Sequence, residues 1–356
     1  MNKNYLEKLE FDKILNILSS FCVTNLGKNM ALELLPSNNV DVVKKSLLET
    51  SQALNLIYRI SEPNFIEIAD ISLELKALKS NSSLSIKSLL NLTNIFKLSN
   101  ELKNYFDKDF IDISSYQILS DIFSMLYSNQ SIIESINYCI VDEFTIDDRA
   151  SKNLQLIRKQ KRKIEQDIRS KLNQMIHSSS YSKYVQENIV TIRNDRFVIP
   201  IKEEYRSKIK GFVHDVSNVG STLFIEPISV FNLNNELNEL KATEEIEIEK
   251  ILHELSSLFY PYIEELEQDV NLIGTLDFIF AKAKYAKSIN AITPIINSNK
   301  EINLKNARHP LIDKNKVVPI SVNLGKDFSV LLITGPNTGG KTVSLKTVRT
   351  FKPYGL

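Results

Sequence analysis

Gly335-Pro336-Asn337-Thr338-Gly339-Gly340-Lys341-Thr342 has a spacing that can do chemistry: two glycines with four residues between them, then a lysine and a hydroxyl. Three of the chain's nine glycines fall within these six positions, Gly335, Gly339 and Gly340. Glycine lets the backbone take positive φ and come close to an anion, so successive N–H groups converge on phosphate oxygens. Lys341 is placed to bridge β- and γ-phosphates, and the Thr342 hydroxyl is placed as a ligand of Mg²⁺. All eight residues are therefore expected to cradle a nucleoside triphosphate.

Such a loop needs a strand before it and a helix after it, because the helix N-terminus supplies free amides and a positive dipole end. The apolar run Val330-Leu331-Leu332-Ile333-Thr334 predicts a buried strand, and Val343-Ser344-Leu345-Lys346-Thr347-Val348 predicts a helix. A Gly-rich hairpin with an exposed lysine is the bland alternative, and those flanks argue against it.

At 356 residues, 43% hydrophobic and 24% charged, the chain has the composition of a globular protein with two or three domains. Its net charge of +1 excludes a global pull toward nucleic acid or membrane, so any such affinity must be local. The first residues, Met1-Asn2-Lys3-Asn4, lack the apolar core of a signal peptide, and no eighteen-residue apolar run predicts a spanning helix. Cys22 and Cys139 stand far apart and His177, His214, His253 and His309 are scattered. That predicts no zinc site and no disulfide framework, and a reducing cytoplasm as the simplest compartment.

Helical spacing runs from Leu6 to about Leu126, punctuated by Gly27, Pro36 and Pro63, with Asp41 expected as an N-cap. From Ser151 to Ile176 a longer helix has one apolar seam, Leu154, Ile157, Ile164, Ile168, Leu172 and Met175, interrupted at Lys161. Its outer faces are basic. A second long helix carries Leu233, Leu237, Leu240, Ile248, Ile251, Leu255 and Leu258 with a gap at Glu244, and its outer faces are acidic. Between them the period changes to two. Ile189–Arg193 and Arg196–Ile201, joined at Asn194-Asp195, predict one hairpin, and Gly211–Val216 and Ser221–Ile225 predict another. Two long helices of opposite charge bracketing four short strands predict an antiparallel helix pair with the sheet at its tip. A basic helix beside an acidic one spends charge on its neighbour, which moves the candidate nucleic-acid contacts to the strands: Arg193, Arg196, Lys202, Arg206, Lys208 and Lys210.

This order of parts, with Ala307-Arg308-His309-Pro310-Leu311 ahead of the glycine loop, resembles the MutS family of ATPases. The bacterial type-two branch, which lacks the N-terminal mismatch-recognition domain, is most similar in Leu9–Ile14, Arg196–Lys202 and Gly220–Pro227. The resemblance implies a mainly α fold with long antiparallel lever helices carrying a small antiparallel β clamp. The start of an α/β P-loop ATPase domain follows. Its divisions would be a helical core over 1–150, a lever helix over 151–187, the clamp over 188–230, a returning lever and core over 231–298, and the ATPase start over 299–356. It implies ATP and Mg²⁺ at the loop of a homodimer controlling a clamp on branched or mismatched DNA, and suppression of homologous recombination. Some members of the branch are linked to rRNA and to collided ribosomes, and the branch's endonuclease activity resides in a C-terminal Smr domain.

Fourteen residues follow Thr342, and they contain no apolar strand ending in Asp-Glu to orient Mg²⁺ and activate water. Pro353 stops the helix that the family continues, so the sequence reads as truncated or frameshifted there, and as inactive in ATP hydrolysis and DNA cleavage by itself. A nucleotide contact and a packing role are both open for His309. Three functions compete on the residues: an ATP-gated DNA binder, an rRNA- or ribosome-binding ATPase, and a coiled-coil structural protein with a vestigial nucleotide site.

Overall fold

The periodic apolar segments fold as helices in a computed structural model that describes residues 7–108, 111–297, 299, 301–335 and 340–351. The helices of the first part are α1 Phe11–Ser20, α2 Asn25–Leu32, α3 Val40–Arg59, α4 Ser72–Lys79, α5 Ile86–Phe106, α6 Gln117–Met125 and α7 Gln130–Cys139. Asn39, not Asp41, caps α3, its side-chain oxygen accepting from the N–H groups of Asp41 and Val42 at 3.0 and 3.3 Å. Asp41 instead occupies the first turn, where its charge faces the positive end of the dipole.

The chain divides into two compact units, one of residues 1–72, 91–130 and 262–356 and the other of residues 73–90 and 131–261. In the first, α10 (Ile263–Ser288) runs through the core. Its fully buried Phe280 meets Phe65, Tyr105 and Phe123, and Phe106 stacks on Phe123 at 4.7 Å. α10 begins directly after a 3₁₀ turn at Tyr260–Tyr262 that contains Pro261.

Asp277 of α10 fixes the entry to α2. Its carboxylate accepts the N–H groups of Val23 and Thr24 and the Thr24 hydroxyl at 2.7–2.9 Å. Gly27 makes the close approach possible, since a Cβ there would stand 2.6 Å from Asp277 Oδ2. A second buried carboxylate, Asp269, accepts from the Ser99 hydroxyl at 2.6 Å and the Tyr127 N–H at 2.8 Å. Burial outweighs these bonds and pushes its pKa up to about 6 from 3.8. A carboxyl whose folded pKa is raised binds its proton more tightly in the native state, so its ionisation costs stability above pH 6 and the cost is relieved as pH falls toward 3.8. The penalty is about 3 kcal/mol at neutral pH. Relative to Asp269→Asn, the wild type should therefore gain stability as pH is lowered from 7.5 to 4.5 in chemical denaturation; parallel pH profiles would contradict the burial argument.

The second unit contains α8 (Lys152–His177), β1 Thr191–Arg193, β2 Arg196–Lys202, β3 Gly211–Val216, β4 Thr222–Pro227 and α9 (Ile228–Ser257). Ser151 caps α8 by accepting from Leu154 N–H at 3.0 Å. The strands form one antiparallel sheet in the order β1-β2-β4-β3, so the two hairpins join through β2 and β4, with Ile199 opposite Ile225 and Lys202 opposite Thr222. Its inner face, Phe197, Ile199, Ile201 and Ile225, shares a core with Ile164, Ile168, Leu172 and Ile176 of α8 and with Val230 and Leu237 of α9.

α8 and α9 run antiparallel: Ser151 Oγ reaches Glu247 at 2.6 Å, while Arg158 and Lys161 reach Glu244. The two interruptions in the apolar seams therefore face each other. Arg158 Nε lies 2.7 Å from Glu244 and its Nη1 2.8 Å from Asp148. Burial works against the Glu244 charge, but hydrogen bonds from Lys161 and Arg158 hold its pKa below the ordinary value.

After α10, β5 (Ile302–Ala307) pairs antiparallel with β6 (Ile320–Leu324), and α11 (Lys341–Phe351) closes the described chain. The Ile302-Leu304 alternation is the local signal for β5. Val330–Thr334 forms no strand and is not buried: Val330 is 79% and Leu332 82% exposed. The expectation of a buried strand there fails for a physical reason. A parallel strand is stable when neighbours pair with it and helices cover it, and no described strand lies alongside. Among the described residues no helix is long and apolar enough to cross a membrane.

Candidate nucleotide loop and nucleic-acid interface

The glycine loop is bounded by two glycines in the left-handed half of backbone space, Gly335 at φ 134° and Gly340 at φ 77°. Among the described residues nothing lies within 4 Å of where a Cβ would sit at either. The intervening Pro336, Asn337, Thr338 and Gly339 lie outside the described residues. The first α11 bond runs from Ser344 N–H to Gly340 C=O at 2.9 Å, which leaves the amides of Lys341, Thr342 and Val343 without intrahelical acceptors. Lys341 makes no ion pair among the described residues, and Thr342 is exposed. A turn of free amides, an uncommitted ammonium and an open hydroxyl fit a triphosphate with its Mg²⁺.

The back of α11 is anchored. Thr347 is buried, and Lys346 lies 2.6 Å from Glu10, which also takes Lys13 at 2.6 Å. Hydrogen bonds from Lys13 and then Lys346 hold the Glu10 carboxyl down at about 2. Glu10 pays for this reach in backbone strain, with φ 58° in a non-glycine residue. His309 is 5% exposed, and burial pushes its pKa down. It packs in unit one beside α1 and α11, which both line the same cavity, so a packing role describes what the structure shows.

The six basic residues of the strands separate into three kinds. Arg193 and Arg196 are spent within the fold. Arg193 crosses the Phe224 ring at 4.2 Å to pair with Asp215 at 3.1 Å. Arg196 pairs with the fully buried Glu226 at 2.8 Å and donates to Asn235 at 2.6 Å. Arg206 closes its own turn, donating to the carbonyls of Ile209 and Gly211 at 3.2 and 3.1 Å. Lys202, Lys208 and Lys210 make no ion pair among the described residues, and Lys208 and Lys210 are exposed. Lys202 stands where β2 meets the turn of the second hairpin, whose Gly220 takes φ 76°, and Lys210 stands at the opposite end, beside Ile228 of α9.

The residue that organises this region was not singled out by its sequence. Glu226 also accepts from Asn234 Nδ2 at 2.7 Å and lies 2.6 Å from His214 Nε2. Asn234, buried in α9, exchanges two hydrogen bonds of 3.1 Å with the backbone of Phe197. A glutamate ending the apolar run Leu223-Phe224-Ile225 and an asparagine on the inner face of a helix were the available signals. The first hairpin turn is as expected, with Asn194 at φ 48° and Asp195 at φ 60°, both left-handed as a two-residue turn between twisted strands requires.

No family model matches the chain. Among curated proteins it is similar to proteins named Endonuclease MutS2. It is 43% identical over 351 residues to that of Acetivibrio thermocellus, covering 99% of this chain and 44% of the relative. It is 40% identical over 351 residues to that of Clostridioides difficile, again 99% and 44%. It is 41% identical over 356 residues to that of Clostridium perfringens, 100% and 45%. The chain thus spans less than half the length of the curated relatives it matches. Identity at this level over the full chain, from the opening helix through the sheet to the glycine loop, places it: the chain belongs to the MutS family, in the type-two branch that these relatives represent.

Proposed function

We propose that the chain is the nucleic-acid-gripping and nucleotide-sensing part of a type-two MutS protein that binds branched or mismatched DNA and restrains homologous recombination. In this reading α8 and α9 are lever arms, residues 188–230 are the clamp, and residues 299–356 open a P-loop ATPase domain that works as a homodimer in the cytoplasm. Gly335 to Thr342 hold ATP, and Thr342 ligates Mg²⁺. When bound, the nucleotide would supply the triphosphate charge; Lys341 and the amides of the first α11 turn receive it.

The observation that carries the reading is the sheet seated on an antiparallel helix pair with Lys202, Lys208 and Lys210 left uncommitted. Three free ammonium groups without base-reading side chains suit a phosphate backbone. Binding to a four-way DNA junction should weaken steeply with salt, and the triple Lys→Ala variant at 202, 208 and 210 should flatten the log–log salt slope by about 2–3. An unchanged slope would remove these lysines from the interface. Equal competition by rRNA would favour the ribosome-directed alternative, since the same lysines serve either backbone. For the loop, Lys341→Ala should lower ATP affinity by about a hundredfold or more in equilibrium binding. Undiminished affinity would take the loop out of ATP binding, and failure of the wild-type chain to bind both ATP and nucleic acid would favour the structural coiled-coil alternative with a vestigial site.

A further inference from the structure

The acidic helix α9 engages few of the cations that α8 carries. Arg158 and Lys161 reach Glu244, and Arg158 also reaches Asp148 at 2.8 Å. Arg162 lies 3.2 Å from Asp148 with 60% of its side chain exposed, and Arg169 stands over the Phe197 ring at 4.8 Å. Lys152, Lys159, Lys163 and Lys171 make no ion pair among the described residues, and all four are exposed.

The helical period sorts these four lysines. At about 100° per residue, Lys152, Lys159 and Lys163 fall within about 30° of the line opposite the buried seam of Leu154, Ile157, Ile164, Ile168 and Leu172. They therefore point away from α9. Lys171 lies about 100° round from that line, on the flank. Exposed Gln155 and Gln166 stand beside the three lysines, and their amides can donate to phosphate oxygens. The two carboxylates of α8 lie off the strip: Glu165 is half-buried toward the seam, and exposed Asp167 lies about 60° from the line of lysines. A merely solvated helix face usually alternates its charges, and this strip does not.

Spacing and composition name the partner. At about 1.5 Å of rise per residue, Lys152 and Lys159 are about 10 Å apart along the axis, and Lys159 and Lys163 about 6 Å. Those intervals are close to three and two steps of about 3.4 Å along one strand of a duplex. α8 contains no Phe, Tyr or Trp, so nothing on it can stack on an unpaired base. Building on the nucleic-acid reading of the chain, we propose that the outward strip of α8 is a second phosphate-backbone contact, along which a duplex arm lies, in addition to Lys202, Lys208 and Lys210. It holds charge and reads no sequence.

The test is the binding of a labelled four-way DNA junction to the full 356-residue chain, followed by fluorescence anisotropy over a range of salt concentrations. Lys152→Gln with Lys159→Gln and Lys163→Gln should lower the log–log salt slope by about 2–3 and the affinity by about tenfold or more near 0.1 M salt. Glutamine keeps the helix, so the circular dichroism melting curve should match that of the wild type; should the triple variant fail to fold, Lys159→Glu alone is expected to lower the slope by about one. Lys171→Gln, off the strip, should leave the slope unchanged. Combining the α8 triple variant with the one at 202, 208 and 210 should add the two reductions, as separate surfaces require. A wild-type chain that binds the junction with a slope untouched by the α8 changes would overturn this second contact alone, whereas a wild-type chain that binds no junction at low salt would remove the nucleic-acid reading and the strip with it. A single strand that competes as well as a duplex would overturn the duplex assignment. Self-association at low salt that the α8 variant abolishes would give the strip to the acidic α9 of a second copy instead.

Discussion

Glu226→Ala is expected to destabilise the sheet-bearing unit by about 3–5 kcal/mol, the cost of removing one partner of a buried charge cluster. Glu226 is fully buried and answers Arg196, His214 and Asn234 at once, at 2.8, 2.6 and 2.7 Å. With the carboxylate gone, Arg196 keeps, among the described residues, Asn235 and the Phe231 face, 5.5 Å from its guanidinium, while Asn234 loses one of its acceptors. The damage should spread to Phe197, because Asn234 holds that strand by two backbone bonds. Glu226→Gln keeps the shape and some hydrogen bonding, and should cost about half as much. Urea denaturation with amide hydrogen exchange in β2 and β4 measures both; an alanine variant within about 0.5 kcal/mol of wild type would show that the cluster contributes little beyond its volume.

The charged layer in the long helices should respond in two opposite ways. Glu244→Ala leaves Arg158 and Lys161, neighbours three residues apart on α8 with side chains 19% and 20% exposed, without the carboxylate they share, and a loss of about 2–4 kcal/mol is expected. Replacing the whole layer, Arg158→Met with Lys161→Leu and Glu244→Leu, should be neutral or stabilising, because three desolvation costs vanish together. What the triple variant should lose is register. A continuous apolar seam can slide, whereas a lone polar layer admits one alignment. Cysteines placed at Ser151 and Glu247, whose side chains meet at 2.6 Å, should cross-link in high yield in the parent and in mixed yield in the triple variant. A fully aligned triple variant would assign register to the sheet and its core instead.

Where a local rule settles the outcome, the amino-acid order already disclosed it. Asn194-Asp195 admits a turn that few residue pairs take, and the matching seams and opposite charges of the two long helices left little choice of partner. Gly340 ahead of Lys341 marks the helix start by spacing alone. Features decided at a distance were hidden. Asn194-type turn chemistry says nothing about β2 choosing β4, which depends on the inner faces of both hairpins meeting α8 and α9. Arginine and lysine look alike as charges, yet Arg193 and Arg196 are drawn inward by Asp215 and Glu226 while Lys202, Lys208 and Lys210 stay uncommitted. Val330–Thr334 has the composition of a buried strand, but burial belongs to the neighbours a strand finds and not to its own residues.

The grip of Asp277 on the backbone of Thr24 spans 253 positions of chain. A nascent polypeptide leaving the ribosome must therefore hold its earliest helices unfinished until α10 emerges, and the loop-closure entropy is met late. The stretch from Ser131 to Pro261, which contributes to the other unit, emerges in the meantime and can complete its sheet first. Synthesis arrested between Pro261 and Asp277 would then present a finished sheet-bearing unit with its helical partner unit unfinished, a species that a chaperone binding exposed apolar helices is suited to hold.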